Sequence, residues 1–161
     1  MFTLGEIIDV AIRIEKNGRN TYRKAQGEVS SSSLASMLQW LADDEAEHEE
    51  WFSGLKEKVG IKVEDPKLEE MGRAILQNVL GDRAFSITDA DFSKIENVKS
   101  LLELSIEFEK DTIIFYEMLR SFMDDIEVLS GLDKIIEEES RHVKELENLV
   151  VRGEALPLTT F

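Results

Sequence analysis

The sequence predicts an all-α fold: an up-down four-helix bundle of two helical hairpins, joined by a long crossover that contains a short extra helix. Glycine and proline are scarce, with 9 and 2 among 161 residues, and segments of alternating polarity are few. Four long segments repeat apolar residues at spacings of three and four, as one face of a helix does. The first two segments also match the last two when they are shifted by 94 residues.

The composition excludes several classes of function. With 34 acidic and 19 basic residues, the chain has a net charge of -15, which repels nucleic acids and anionic membranes. The absence of cysteine excludes disulfides, thiolate nucleophiles and thiolate-bound metals. The longest segment without charged residues, 29–42, is too short to span a bilayer, and Glu6 and Asp9 interrupt any N-terminal signal peptide. We therefore expect one cytoplasmic domain over residues 1–161, with no nucleic-acid or membrane partner.

The first hairpin is predicted over residues 4–59. A capping-box sequence from Thr3 to Glu6 opens its first helix, which continues to about Glu28. The serines at 30–33 interrupt the helical pattern and provide a cap for the second helix, predicted over about 34–59.

A crossover is predicted over about residues 60–93. Asp65 and Pro66 have the residue types of an N-cap and a first helical position, and a short amphipathic helix then continues to about Leu80. So long a connection is unusual in a compact domain unless it joins distant ends of the bundle.

The second hairpin is predicted to repeat the first over residues 98–153. Its first helix is expected over about 94–123, followed by a turn and cap at Asp124 and Asp125. The last helix is expected to end near Arg152. The repeat predicts that the two hairpins are related by an approximate two-fold axis.

Polar residues interrupt each apolar line at the middle of its helix. Each histidine follows a glutamate by three residues, which puts both side chains on one helix face. Because the interruptions are equally far from the hairpin turns, they should meet at one level of the bundle. They form three pairs separated by 94 residues: Glu15 with Glu109, Glu45 with Glu139, and His48 with His142.

Four carboxylates buried together need compensating charge, because each uncompensated buried charge costs several kcal/mol. Two divalent cations would balance four glutamates, and the imidazoles would add neutral ligands. Oxygen and nitrogen donors without sulfur suit iron or manganese better than copper(I) or structural zinc. For one histidine taken alone, a hydrogen-bonded structural role is the competing interpretation. Nearby acidic residues such as Glu137 and Glu138 are expected to face solvent.

Two tyrosines follow the glutamates of the first and third helices by two turns. Tyr22 follows Glu15, and Tyr116 follows Glu109, so both should point toward the same face as the glutamates. Their hydroxyls have three possible roles: hydrogen bonding to a metal-binding carboxylate, passing an electron, or contacting water.

Two small residues and two tryptophans near the glutamates and histidines each have two alternative roles. Gly18 and Thr112, one turn after Glu15 and Glu109, either make room for a small oxidant or allow close helix contact. Trp40 and Trp51 lie off the apolar lines, where surface or interface packing is favoured over electron relay.

The segments Ile14–Gly18, Glu45–His48, Phe108–Asp111 and Glu139–His142 together resemble ferritin-like di-iron carboxylate proteins, most of all the rubrerythrin group. The resemblance covers about residues 4–151. It implies a ferritin-like bundle with a left-handed crossover and two bound iron ions, with manganese or zinc as substitutes. It also implies that the metal ligands are the catalytic carboxylates Glu15, Glu45, Glu109 and Glu139, with Glu45 and Glu139 bridging, and the imidazoles of His48 and His142.

The resemblance implies an oxidoreductase that functions in the response to oxidative stress and reduces hydrogen peroxide or dioxygen. Thr112 stands where classical rubrerythrins carry a further glutamate, and no cysteine is present for their rubredoxin domain. Electrons are therefore expected from an external donor such as a rubredoxin-type protein. Two alternatives remain. One is an iron-binding or ferroxidase-storage protein, and the other is a non-catalytic helical module in which the metal only stabilises the bundle. A homodimer is also implied, and the long crossover makes an exchange of hairpins between its chains conceivable.

Overall fold

The computed structural model describes residues 4–59 and 98–153, which form four helices and two short turns. Helix α1 spans Leu4–Glu28, α2 spans Ser32–Val59, α3 spans Val98–Arg120 and α4 spans Ile126–Gly153. The predicted all-α class is confirmed. The predicted crossover, its short helix, its handedness and the expected start of the third helix at 94 lie outside the described residues. None of the four helices combines the length and apolarity that crossing a lipid bilayer requires.

Side-chain caps begin the second helix of each hairpin, as the sequence predicts. The backbone N–H of Leu34 donates to Ser31 Oγ over 3.3 Å at the start of α2. At the start of α4, Asp125 Oδ1 accepts from the N–H groups of Glu127 and Val128, at 2.8 and 3.3 Å.

The third helix ends earlier than predicted. Regular α-helix stops at Arg120, so the expected continuation to 123 is wrong by one turn. The amides of residues 121–123 instead donate to the carbonyls of residues 118–120, three residues back, which tightens the chain into a turn. The Ser121 hydroxyl donates to the Met118 carbonyl over 2.6 Å and competes for the acceptors of the last helical turn.

Two apolar clusters determine how the helices run. One cluster joins Ile8 near the start of α1 and Phe52 near the end of α2 to late α3 and early α4. The other joins Ala25 near the end of α1 and Leu38 in early α2 to early α3 and late α4. Helix α1 is therefore antiparallel to both α2 and α3, and parallel to α4. Residues 59 and 98 consequently lie at opposite ends of the bundle, and a polar layer separates the two clusters.

Candidate metal centre

The polar layer contains all six side chains that interrupt the apolar lines. Each helix contributes at least one of them, and none exposes more than 3% of its surface. The sequence predicted that these groups would converge at one level, and the structure brings all of them together. The cluster consists of Glu15 from α1, Glu45 and His48 from α2, Glu109 from α3, and Glu139 and His142 from α4.

The cluster divides into two overlapping groups of four, each with its donor atoms within 4.8 Å of one another. Each group contains one histidine, one glutamate of its own, and the two glutamates that both groups share. We call them the His48 position, formed by Glu15, Glu45, His48 and Glu139, and the His142 position, formed by Glu45, Glu109, Glu139 and His142. The two shared glutamates are those that the family resemblance implies as bridges.

Six buried atoms of the cluster have no hydrogen-bond partner among the described residues. They are Glu15 Oε2, both carboxylate oxygens of Glu45, Glu109 Oε2, Glu139 Oε2 and His142 Nδ1. An unpaired buried polar atom costs about 1–3 kcal/mol, and more when it is charged. All six are of the atom types that bind iron, manganese or zinc, and all belong to residues of the two four-residue groups. The residues present therefore fit a pair of cations.

Burial and mutual repulsion shift the pKa values of the carboxyl groups. Burial, together with the charges of Glu109, Glu139 and Glu15, raises the pKa of Glu45 well above its usual value. Burial and the charge of Glu139 raise the pKa of Glu109 to about 8. Burial also raises the pKa of Glu139, but its contacts with Glu109 and His142 outweigh that effect and leave it below the usual value.

Carboxylate neighbours raise the pKa of both imidazoles, against the lowering effect of burial. Burial lowers the pKa of His48, but its contacts with Glu139 and Glu15 outweigh burial and raise the pKa to about 12. In the same way, Asp44, Glu109 and Glu139 outweigh burial and raise the pKa of His142. Without cations, protons are therefore the charges that balance this cluster.

Two tyrosine hydroxyls cross from one hairpin to the other. Tyr22 on α1 donates to Glu109 Oε1 over 2.6 Å, and Tyr116 on α3 donates to Glu15 Oε1. Both tyrosines are fully buried, and burial raises the pKa of each hydroxyl. The alternative in which these hydroxyls contact water is wrong. Each hydroxyl orients a glutamate that belongs to only one of the two positions.

The outer nitrogen of each histidine contacts a carboxylate from the opposite hairpin. His48 Nε2 lies 2.9 Å from Glu138 Oε2, and His142 Nε2 lies 2.9 Å from Asp44 Oδ2. The expectation that Glu138 faces solvent is therefore wrong, since its side chain is only 15% exposed. The repeat carried an unused signal, because Asp44 shifted by 94 residues is Glu138.

We expect D44N and E138Q each to weaken the binding of divalent metal by about 10- to 100-fold. Each carboxylate accepts the Nε2 proton and so directs Nδ1 of its histidine toward the glutamates. Calorimetric titration of the metal-free protein measures the affinity. The exposed neighbours supply the controls, D43N and E137Q, which should bind metal as the wild type does. Equal losses in the variants and their controls would contradict this role.

The two small residues of the sequence analysis differ in what they contact. A Cβ added to Gly18 would lie 3.3 Å from Glu45 Oε2 and 3.3 Å from Phe108, so this glycine allows close packing around a shared glutamate. The buried hydroxyl of Thr112 donates to the Phe108 carbonyl of its own helix over 2.8 Å. At Gly18, the structure favours close contact over room for an oxidant.

We expect G18A to lower metal affinity without unfolding the protein. The new methyl group forces Glu45 to move by a few tenths of an ångström, whereas alanine by itself favours a helix interior by about 1 kcal/mol. G54A is the control, because a Cβ there meets nothing within 4 Å. Both variants are compared by thermal unfolding with and without metal. A metal response of G18A equal to that of G54A would contradict the prediction.

The two tryptophans have different surroundings. Trp51 is half-buried and packs so closely over Gly131 that a Cβ there would lie 2.5 Å from its ring. Trp40 is 38% exposed, and its ring meets that of His142 nearly at right angles, with 5.1 Å between centroids. One tryptophan therefore supports a helix contact, whereas the other reaches from the surface to the buried cluster.

Comparison with known proteins agrees with the fold and with the cluster. A crystal structure from Thermotoga maritima, of a protein proposed to be a ferritin-like diiron-carboxylate protein, matches with a TM-score of 0.68 and 22% identity. The match covers 94% of this chain and 97% of that chain, and it establishes the ferritin-like fold. No curated protein matches the chain. The sequence profile of the rubrerythrin family matches residues 6–150. The chain therefore belongs to the rubrerythrin family.

Proposed function

We propose that the chain is a di-iron oxidoreductase that reduces hydrogen peroxide or dioxygen with electrons from an external donor. One observation carries the proposal: two four-residue groups, each with its own imidazole, share two carboxylates at the centre of the bundle. This is the donor arrangement of carboxylate-bridged dinuclear centres in helix bundles.

The charge and chemistry of the donors support iron as the metal. The charge of two Fe²⁺ ions balances that of four carboxylates. Oxygen and nitrogen donors without thiolate suit iron, with manganese or zinc as substitutes. When bound, a pair of Fe²⁺ ions supplies the two electrons that convert one hydrogen peroxide and two protons into two waters. Under this proposal the six side chains of the cluster are the metal ligands.

The other residues around the cluster prepare the site for this chemistry. Tyr22 and Tyr116 hold the two unshared glutamates by hydrogen bonds, and Asp44 and Glu138 hold the two imidazoles. The apolar clusters above and below exclude bulk water from the polar layer. Such a site is ordered before the metal arrives, which reduces reorganisation during electron transfer.

We propose that the electrons come from a separate donor molecule. The 161 residues contain no cysteine and therefore provide no thiolates for rubredoxin-type iron. We propose a rubredoxin-type protein as the donor and the cytoplasm as the location. We also propose a homodimer, which light scattering during size-exclusion chromatography tests.

Stopped-flow mixing of the reduced, iron-loaded protein with hydrogen peroxide tests the activity. We expect oxidation much faster than that of free Fe²⁺ in the same buffer, with one peroxide consumed per two iron ions. If the bound iron is oxidised no faster than free Fe²⁺, the proposal is contradicted, and a metal that only stabilises the bundle is favoured. Uptake of many iron ions per chain by a large shell would instead favour iron storage.

A further inference from the structure

The internal repeat pairs the two histidines but gives them different neighbours. A shift of 94 residues relates His48 to His142, and the same shift relates Trp40 to Lys134. Trp40 contacts the ring of His142. Lys134 instead lies on the surface with a side chain that is 77% exposed. The two metal positions are therefore built differently just outside their histidines.

His142 is held with its inner nitrogen free of hydrogen bonds to the described residues. Trp40 packs against the imidazole at nearly a right angle, and Asp44 contacts Nε2 at 2.9 Å. The inner nitrogen, Nδ1, makes no hydrogen bond to the described residues. Three carboxylate oxygens surround it at longer distances: Glu45 Oε1 at 3.3 Å, Glu139 Oε2 at 3.4 Å and Glu109 Oε1 at 3.7 Å. A cation at the His142 position therefore meets a ring that is already oriented toward it.

The inner nitrogen of His48, unlike that of His142, makes a hydrogen bond within the cluster. This atom, Nδ1, lies 2.7 Å from Glu139 Oε1, so a cation at the His48 position has to displace this hydrogen bond. On the outer side, Nε2 contacts Glu138, whose other oxygen lies 3.9 Å from Lys134 Nζ. The lysine charge weakens this carboxylate as a partner of the imidazole and adds positive charge near an incoming cation.

We infer that the two metal positions are inequivalent, and that the His142 position binds its cation more tightly and fills first. Trp40 and Asp44 are its positioning residues, because they hold the ring of His142 and so reduce the entropy lost when the metal binds. The inference rests on the proposed two-metal centre and adds to it an order of filling.

Calorimetric titration of the metal-free, full-length protein with Co²⁺, under anaerobic conditions, tests the order. We expect two binding events in the wild type, with the first at least about tenfold tighter. The unshared glutamates provide a matched pair of variants, since E109Q affects only the His142 position and E15Q only the His48 position. E109Q should lose the tight event, whereas E15Q should retain it and lose the weak one.

A second matched pair tests Trp40 itself. We expect W40L to weaken the tight event by about tenfold, W40F to restore much of it, and K134L to leave it unchanged. Thermal unfolding without metal accompanies each titration, because a merely structural role for Trp40 would lower stability without acting selectively on one binding event.

The possible outcomes separate this inference from the proposed function. Two Co²⁺ per chain with equal affinities, or loss of the tight event in E15Q rather than E109Q, would overturn the inference and leave a two-metal centre. Equal effects of W40L and K134L on the tight event would overturn the role of Trp40. Fewer than two Co²⁺ per wild-type chain would overturn both the inference and the proposed centre.

Discussion

Replacing both Glu45 and Glu139 with alanine is expected to abolish the rise in melting temperature that metal causes in the wild type. These glutamates belong to both metal positions, so neither position retains its donor set without them. A ligand at 1,000 times its Kd stabilises the native state by about 4 kcal/mol. For a domain of this size, that corresponds to a rise of roughly 8–16 °C. Thermal unfolding with Fe²⁺, under anaerobic conditions, and with a chelator measures the difference.

The metal-free double variant should be at least as stable as the metal-free wild type. Two of the four crowded carboxyl groups are removed, which relieves repulsion and desolvation within the buried layer. The matched variant E45Q/E139Q keeps the side-chain volume, so it separates the loss of charge from the cost of a cavity. A metal response in either double variant equal to that of the wild type would contradict the assignment of the shared glutamates.

Metal binding is expected to release about three protons per two cations near pH 7. Glu109, with a pKa of about 8, and His48, with a pKa of about 12, both hold protons at this pH in the metal-free protein. The raised pKa of His142 adds a third bound proton. Because two cations together displace about three protons, the binding constant for the pair should fall roughly a thousandfold for each unit by which the pH is lowered.

Calorimetry in buffers of different ionisation enthalpy counts the released protons directly. Whereas metal affinity should rise with pH, the folding stability of the metal-free protein should fall as the pH rises. Folded Glu109 holds its proton more tightly than an unfolded glutamate, so its stabilising effect is complete below about pH 4.5 and is lost as the pH rises through about 8. Release of fewer than one proton per cation, with a flat stability profile, would contradict the charge state derived for the cluster.

The sequence alone predicted the helices and the convergence of the six cluster residues. Charged residues on an apolar line at helical spacing have to be buried together, and the repeat showed that this occurs at equivalent heights in both hairpins. Glu15 and Glu109 illustrate the argument, because each lies in the middle of its helix and each is fully buried in the structure.

Features that depend on the packing between hairpins were not predictable in this way. Glu138 directly follows exposed Glu137 in the chain, and its partner His48 lies 90 residues away on another helix. The contact of Trp40 with His142 likewise depends on how α2 meets α4. The early end of α3 depends on a local competition for carbonyl groups that apolar periodicity does not reveal.

A crystal structure of the protein loaded anaerobically with Fe²⁺, with anomalous data collected at the iron edge, tests the central claim most directly. We predict two anomalous peaks per chain, about 3.5–4 Å apart, one at the His48 position and one at the His142 position, with the shared glutamates between them. Iron bound only at the surface, or no peak within the polar layer, would contradict the account.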